Sequence, residues 1–374
     1  MDTITAVAGL KEFIKTLATN NIRDRKAFRQ FCLKNEDLVS ALFNYDRYEG
    51  MPAIGELLSI DYHETLPLIL LNYSTIAHNT LHAFPEGWTP VLRLCRGIVF
   101  DTAGNLIALP FPKFFNYNQH PETIELPNLP FKATEKHDGH LGIIFRYNGQ
   151  LILTTRGRFN SPSSILGNEM LKRYVGEYNW DQIFPESITA LVEMIHPQTF
   201  VHKKYYGEKT FIIIGAMNTK KLFDFNYDKL TRLANLLHVK ITQPWSGDNL
   251  QNLIQLMKDR SVTNEEGYVI RFENGLRVKI KFESYIGLMV ASKLSYSYLM
   301  NRMISGNLEK MLATLPEEIY DTAMNMLGKI LMDVSSPGTL QQKWTKLYGL
   351  NPTGSSYYKQ TCRTFVKHLL KKQE

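Results

Sequence analysis

The sequence predicts an α+β protein in which a mostly antiparallel, β-rich body lies between two helical segments. Residues 5 to 48, and those after about 290, carry apolar side chains at helical spacing. Residues 65 to 290 instead carry short apolar runs that are separated by turn residues. Because the chain has 374 residues, against roughly 100 to 200 for an average domain, two or three domains are expected.

The N-terminal segment is predicted to be a small helical lead-in over residues 1 to 60. Its apolar positions recur at intervals of three and four, and the stretch "EGMPAIG" ends the pattern. These positions are Leu10, Phe13, Ile14, Leu17, Phe28, Phe31 and Leu38.

Three β-hairpins are predicted in the central body, residues 61 to 290. Their loops contain Gly104-Asn105, Asn148-Gly149 and Asn274-Gly275. An Asn-Gly pair between apolar strands indicates a type I′ turn, since both of its central residues need a positive φ. That turn is therefore expected in the second and third hairpins.

Further strands and helices complete the central body. Strands are predicted at residues 188–195 and 209–217, and helices at residues 163–178 and 227–239. The helical pattern from 291 to 374 is predicted to be a separate, all-helical C-terminal domain.

Composition indicates a soluble protein with a polyanionic partner. Lysine and arginine number 43 against 36 acidic residues, which gives a net charge of +7 and suits nucleic acid or nucleotide. Three widely spaced cysteines suit a reducing cytosol, so a cytoplasmic location is expected. The N-terminus does not resemble a secretory signal, and the longest apolar stretch, "LPLILL", is too short for a membrane span, so no membrane partner is expected.

Charged residues recur at the strand ends of the central body. Side-chain alternation predicts that stacked hairpin faces gather them into one cleft. In chain order they are Arg96, Lys113, Lys136, Asp138, Arg156, Glu193, Glu266, Lys279 and Lys281. Cations neutralise phosphate oxygens and carboxylates hold a metal ion, so this mixture predicts a site for a triphosphate with Mg²⁺.

The stretch "KATEKHDGHLG" contains the candidate nucleophile. In an extended strand Lys136 and Asp138 would share a face, and Gly139 would leave room for a ligand to approach the backbone. A free lysine is neutral in only about one molecule in ~2,500 at pH 7. We expect neighbouring cations and exclusion of water to raise the neutral fraction of Lys136, so that its amine can attack an α-phosphorus.

Three boxes together resemble the covalent nucleotidyltransferase superfamily of ligases and capping enzymes. They are K-x-D-G at 136–139, E-G-Y-V at 266–269 and K-x-K at 279–281. The upstream stretches "LCRGIVFD" and "PFPKFFNYNQ" are similar to phage-type RNA ligases, the family of the T-even phage tRNA-repair ligase. The resemblance covers roughly residues 70 to 290 and implies an antiparallel-sheet, ATP-grasp-like nucleotidyltransferase domain.

The resemblance also implies roles for the catalytic and metal-binding residues. Lys136 would take AMP as a phosphoramidate, and Asp138 would orient the site around it. Arg156 matches a family position that is important for the later steps. Glu266 would assist the metal, Mg²⁺ or Mn²⁺.

For nucleotide binding, the same resemblance implies five further contacts. Arg96 and Lys113 would contact the outgoing phosphates of ATP, and Glu193 would contact the ribose. Lys279 and Lys281 would bind the α-phosphate together with Lys136.

The function implied is an ATP-dependent RNA ligase that joins RNA 5′-phosphate and 3′-hydroxyl ends, with tRNA as one candidate substrate and an end-healing kinase or phosphatase as a candidate partner. A DNA ligase or capping guanylyltransferase is the enzymatic alternative, although those usually attach an OB domain after the K-x-K box. A non-catalytic RNA-binding repair factor is the alternative from another class; pure binding would not require the lysine nucleophile.

Overall fold

The computed structural model describes residues 3–199, 202, 205–259, 261–313, 315 and 317–371. The chain divides into two compact units. The first comprises Met1–Ser246 and Tyr268–Ile280, and the second comprises Gly247–Gly267 and Lys281–Glu374.

The first unit begins with helices, as the apolar spacing predicted. They are α1 (Thr3–Thr19), α2 (Arg25–Lys34), α3 (Glu36–Phe43), α4 (Ile54–Leu57), α5 (Thr75–Thr80) and α6 (Pro90–Leu94). The Asp24 carboxylate caps α2 by accepting hydrogen bonds from two backbone N–H groups of its first turn. Phe13 and Phe43 are fully buried in the same hydrophobic cluster as the first sheet, so these helices share that sheet's core.

The first sheet has four antiparallel strands in the order β1-β2-β3-β4. They are β1 (Leu58–Tyr62), β2 (Leu68–Tyr73), β3 (Arg96–Asp101) and β4 (Leu106–Ala108). Every residue of β2 is buried, which explains the apolar run from Leu68 to Leu71, since a strand covered on both faces needs no polar alternation.

The largest sheet has six strands and forms the centre of the first unit. Its order is β11-β10-β9-β7-β8, and β12 pairs in parallel with β10. The strands are β7 (His140–Tyr147), β8 (Gln150–Thr154), β9 (Ile188–Ile195), β10 (Thr210–Asn218), β11 (Phe223–Asp224) and β12 (Lys240–Ile241). A second hydrophobic cluster includes buried residues of α7 (Pro162–Tyr178), α8 (Trp180–Ile183) and α9 (Tyr227–Leu236).

The third sheet has the strand order β5-β14-β13-β6. Its strands are β5 (Phe115–Asn116), β6 (Phe131–Lys136), β13 (Gly267–Phe272) and β14 (Arg277–Lys281). This sheet carries the candidate nucleophile Lys136 at the end of β6 and Lys279 within β14.

All three predicted hairpins form, but their turns differ. Asn148 and Gly149 have φ values of 50° and 78°, which is the expected type I′ geometry. The prediction of the same turn in the third hairpin was wrong: Gly275 has a φ of 87°, whereas Asn274 does not adopt a positive φ. The hydrogen bond from Gly275 N to the Phe272 carbonyl closes a longer loop, in which only the glycine needs the left-handed region.

The second unit is helical after residue 281; the helical pattern was predicted only from residue 291, so the helix at Glu283–Ala291 begins earlier than expected. Its helices are α10 (Leu250–Leu256), α11 (Glu283–Ala291), α12 (Tyr296–Ile304), α13 (Leu308–Leu312), α14 (Glu317–Ser335), α15 (Leu340–Gly349) and α16 (Ser356–Lys371). Ile330, Cys362 and Phe365 are fully buried in its core. Among the described residues, no helix is both long and apolar enough to cross a membrane.

Candidate active site

A cavity of about 630 Å³ opens within the first unit. Four of the predicted site residues line it: Arg96, Lys136, Glu193 and Lys279. They come from three different sheets, on β3, β6, β9 and β14. Apolar and aromatic side chains form much of the remaining wall, so the cavity combines an apolar surface with a few charged groups, as nucleotide and other small-molecule sites do.

The predicted orientation of the K-x-D-G box differs from the structure. Strand β6 ends at Lys136, so the alternation of side chains does not continue through the box. Lys136 and His137 line the cavity, whereas Asp138 is buried outside its lining. The Asp138 carboxylate accepts a 2.6 Å hydrogen bond from the backbone N–H of His202, and the Asp138 backbone N–H donates to the Tyr205 hydroxyl at 3.0 Å. Asp138 therefore links the loop after Lys136 to His202 and to Tyr205.

Gly139 is required by its contact with strand β9. Its backbone N–H donates a 3.0 Å hydrogen bond to Glu193 Oε1. A Cβ at this position would lie 2.6 Å from the Met194 carbonyl oxygen and 3.0 Å from Glu193 Cγ. The sequence indicated that the missing side chain leaves room for a ligand; in the structure it leaves room for the neighbouring strand.

Arg96 and Arg156 meet at a buried tyrosine. Arg156 donates to the Tyr73 hydroxyl, and Arg96 also forms a side-chain hydrogen bond with Tyr73. Gly97 makes this approach possible: its φ is 93°, and a Cβ there would lie 3.0 Å from Arg156 Cα. Burial lowers the pKa of the Arg96 guanidinium, and the neighbouring Arg156 lowers it further.

Lys113 lies among aromatic rings instead of in the lining of the cavity. Its Nζ is 4.7 Å from the ring centroids of both Trp88 and Phe115 and 5.4 Å from that of Tyr73. Burial lowers the pKa of Lys113 to about 8, and the charges of Arg96, Arg156 and Arg93 contribute to the shift. Lys113 is therefore close enough to Arg96 for the two positive charges to repel each other.

The wall beside Lys279 contains residues that the sequence did not single out. Phe114 faces two of the cavity's cations: its ring centroid is 4.5 Å from Lys279 Nζ and 6.0 Å from Arg96 Cζ. Arg277 Cζ lies 3.9 Å from the ring centroid of Phe111, and Asp224 forms ion pairs with the guanidinium of Arg277. These residues come together only in the tertiary structure. Their local spacing in the sequence does not distinguish them from ordinary core or surface positions.

Glu266 and Lys281 belong to the second unit, where they form an ion pair. The Glu266 carboxylate is buried, and its Oε1 lies 2.8 Å from Lys281 Nζ. Lys281 Nζ also lies 5.0 Å from the ring centroid of Tyr285. Two of the predicted boxes are thus joined by a direct contact between their charged residues.

The carboxylates present suit a weakly coordinated Mg²⁺ or Mn²⁺. Among the described residues, no group of three or more His, Cys, Asp or Glu side chains could enclose a metal ion. Mg²⁺ usually keeps several waters and is held by one or two carboxylates plus substrate phosphates, so it does not need such a cage. A single buried carboxylate such as Glu266 fits that mode of binding.

The family model for RNA ligase matches residues 94–285, just over half of the chain. A candidate RNA ligase of Thermovibrio ammonificans is 25% identical over 277 residues, which span 70% of this chain and 71% of that protein. An archaeal ATP-dependent RNA ligase has a similar fold, with a TM-score of 0.52 at 12% identity over 90% of this chain and 98% of that one.

An RNA ligase variant of Naegleria gruberi, solved with ATP and Mn, is a more distant structure. Its TM-score is 0.38 at 14% identity, and the match covers 46% of this chain and 55% of that one. The match of the family model includes all three boxes on which the resemblance was based. The chain therefore belongs to the RNA ligase family, within the covalent nucleotidyltransferase superfamily.

Proposed function

We propose that this RNA ligase consumes ATP and joins RNA 5′-phosphate and 3′-hydroxyl ends in three steps, through lysyl-AMP and RNA-adenylate. One observation carries the proposal: Lys136, Arg96, Glu193 and Lys279 line the same 630 Å³ cavity of the first unit. A nucleophile, two cations and a carboxylate are the groups that nucleotide transfer to lysine requires. Residues 61 to 290 would form the adenylyltransferase domain.

In the first step, the neutral amine of Lys136 attacks the α-phosphorus of ATP. A P–N bond forms, the P–O bond to the β-phosphate breaks, and pyrophosphate leaves; the amine proton passes to solvent. Arg96 and Lys279 neutralise charge that grows on the phosphate oxygens, and Lys113 adds to the positive potential.

The carboxylates and the loop after Lys136 position the nucleotide. Glu193 contacts the ribose, and its hydrogen bond to the Gly139 N–H fixes it relative to the nucleophile loop. Asp138 orients that loop through its carboxylate, which accepts a hydrogen bond from the backbone N–H of His202. Glu266 would hold Mg²⁺ or Mn²⁺, which when bound polarises phosphoryl oxygens and orients the leaving group.

The second and third steps transfer AMP and seal the strand. An oxygen of the RNA 5′-phosphate attacks the AMP phosphorus, the P–N bond breaks, and Lys136 regains its amine. The RNA 3′-hydroxyl then attacks the activated 5′-phosphate, loses its proton, and AMP leaves. Arg156 is assigned to these steps, since it is exposed at the end of β8 while its guanidinium is held by Tyr73.

The natural setting we propose is RNA repair in the cytoplasm. A tRNA with a broken strand is the candidate substrate, and an end-healing kinase or phosphatase is the candidate partner. Both proposals rest on the resemblance to phage-type tRNA-repair ligases. A purified mixture of cleaved tRNA, the ligase and a healing enzyme would test them, with sealing expected only after the ends carry 5′-phosphate and 3′-hydroxyl.

The proposal is tested by the covalent adduct. The protein is incubated with Mg²⁺ and either ATP or GTP, and the Lys136 peptide is examined by mass spectrometry. An adenylyl adduct with ATP is expected, which is lost in Lys136→Ala and retained in Lys172→Ala, a change at an exposed position of α7 outside the cavity. A guanylyl adduct would indicate a capping enzyme, and no adduct with either nucleotide would indicate a binding protein. Sealing of 5′-phosphorylated DNA in preference to RNA would indicate a DNA ligase.

A further inference from the structure

The positive charge of the chain is concentrated at its C-terminal end. Residues 335–374 contain seven Lys and Arg residues and a single acidic residue, Glu374. The preceding 334 residues are almost neutral, with 36 Lys and Arg against 35 Asp and Glu. Six of the seven net charges therefore lie in the last forty residues. Such asymmetry is typical of a segment that meets a polyanion.

Helix α16 arranges three of these cations in one row. Lys359, Arg363 and Lys367 are exposed and four residues apart, so they lie on one face of the helix. Among the described residues, none of the three forms an ion pair with a carboxylate. Like charges at this spacing repel one another and destabilise a helix.

The helix dipole does not account for this row. Cations near the last turn of a helix are stabilised by the dipole, whereas those near the first turn are destabilised. Helix α16 begins at Ser356, so Lys359 lies in its first turn and Arg363 lies in its second. Only Lys367 is near the C-terminal end, and therefore a solvated helix terminus does not explain the other two.

Aromatic side chains of α15 hold the first two cations in place. Arg363 Cζ is 4.7 Å from the ring of Trp344, and Lys359 Nζ is 4.8 Å from the ring of Tyr348. Trp344 and Tyr348 are themselves stacked, with centroids 6.0 Å apart and planes 18° apart. A guanidinium that rests on a ring keeps its N–H groups free for the bidentate recognition of phosphate.

We propose that α15 and α16 form an RNA-docking surface, in which Lys359, Arg363 and Lys367 contact the phosphate backbone of the RNA to be sealed. This inference rests on the proposed function for the identity of the nucleic acid. We expect this surface to bind RNA without sequence specificity, because contacts to backbone phosphates do not distinguish one base from another. Trp344 and Tyr348 act as positioning residues that fix the two cations above their rings.

The test neutralises the row and measures RNA binding against salt. The variant K359Q/R363Q/K367Q keeps the side-chain stems, and K26Q/R29Q/K34Q on α2 is the matched control, with the same charge change at exposed helical positions. The probe is a 5′-phosphorylated RNA oligonucleotide, used both as a single strand and as a hairpin. The adenylyl adduct on Lys136 is measured in parallel.

For the α16 variant we expect weaker binding by about a hundredfold at 0.1 M salt, and a slope of log Kd against log salt that is smaller by about 2 for the single strand. KM for RNA should rise, while adduct formation from ATP stays at the wild-type level. The hairpin arm shows whether a duplex or a single strand is the preferred form of the backbone.

Two results would overturn the inference: an unchanged salt slope in the α16 variant, or an equal loss of RNA binding in the α2 control. A loss of adduct formation in the α16 variant would also contradict it, since the row would then serve the nucleotide step. Failure of the proposed function has a different signature, namely a wild-type protein that binds RNA in this salt-dependent way but never forms the adduct.

Discussion

The backbone N–H of Gly139 donates a 3.0 Å hydrogen bond to the carboxylate of Glu193. The loop that follows Lys136, the proposed nucleophile, is thereby tied to β9, and Leu141, at the start of β7, pairs with Glu193 in the same sheet. A side chain assigned to the ribose thus also supports the backbone beside the attacking amine. In the proposed mechanism, this one carboxylate would therefore couple ribose binding to the position of Lys136.

Glu193→Gln and Glu193→Ala should separate these two tasks. The glutamine keeps an oxygen that can accept from the Gly139 N–H, whereas the alanine leaves this N–H without its partner. We expect the free energy of unfolding to fall by about 1–3 kcal/mol for the alanine and by less than about 1 kcal/mol for the glutamine. Urea unfolding measures this difference. Equal losses for the two variants would show that the hydrogen bond does not support the loop.

Gly139→Ala should disrupt the same contact sterically. Its Cβ would lie 2.6 Å from the Met194 carbonyl oxygen, a backbone atom that cannot move freely. We expect a destabilisation of about 1–3 kcal/mol together with reduced formation of the adenylyl adduct. Gly176→Ala in α7 is the control, because a Cβ there meets nothing within 4 Å. It should stabilise the helix slightly, and Gly139→Ala with wild-type stability would contradict the steric argument.

The depressed pKa of Lys113 predicts a pH dependence of stability. Burial lowers this pKa to about 8 from an ordinary value of 10.5. Between these values the folded protein has lost the proton while the unfolded chain retains it. The unfolded state then binds more protons, so the free energy of unfolding rises with pH across this window.

Lys113→Met should remove this contribution, and the comparison is made by urea unfolding at several pH values. The rise in stability between pH 8 and 10.5 should be smaller in this variant than in the wild type. Lys172→Met, at an exposed position of α7, is the control and should keep the wild-type slope. Identical slopes for Lys113→Met and the wild type would contradict the assignment of the shift to Lys113.

Tyr73→Phe should affect sealing more than adenylylation. The change removes the hydroxyl that both Arg156 and Arg96 contact but keeps the ring beside Lys113, and Arg96 also lies in the wall of the cavity, where Phe114 contacts it. We expect sealing of pre-adenylylated RNA to slow by about tenfold, equivalent to roughly 1.4 kcal/mol. Formation of the Lys136 adduct should change less. Tyr147→Phe on β7 is the matched control, and equal effects of the two changes would exclude a specific role for the Tyr73 hydroxyl.

Local signals in the sequence were sufficient for several elements of the fold. Strand β9 occupies residues 188–195, as its apolar run predicted, and the Asn148-Gly149 pair forms the expected type I′ turn. Both features depend on residues that are close together in the sequence. The strand depends on a run of apolar side chains, and the turn depends on the φ values of two adjacent residues. The third hairpin shows the limit of such signals, since Asn274-Gly275 is compatible with more than one loop length.

The residues around the site depended on contacts between distant segments. Trp88 is buried, and its ring also contacts Lys113. The Tyr73 hydroxyl contacts Arg96 on β3 and Arg156, which follows the end of β8. The spacing of residues within one segment cannot predict these contacts, because they arise from the way the sheets pack.

By itself the sequence determined the family, the division into helical and β-rich regions, and the charged residues of the three boxes, because each depends on the order of residues along one segment. Only the tertiary structure decided that Lys136 lines the cavity while Asp138 is turned to a backbone contact, and that Gly139 makes room for a strand. The physical reason is that the end of β6 stops the alternation of side chains, and from there the neighbouring strand β9 fixes which atoms can fit.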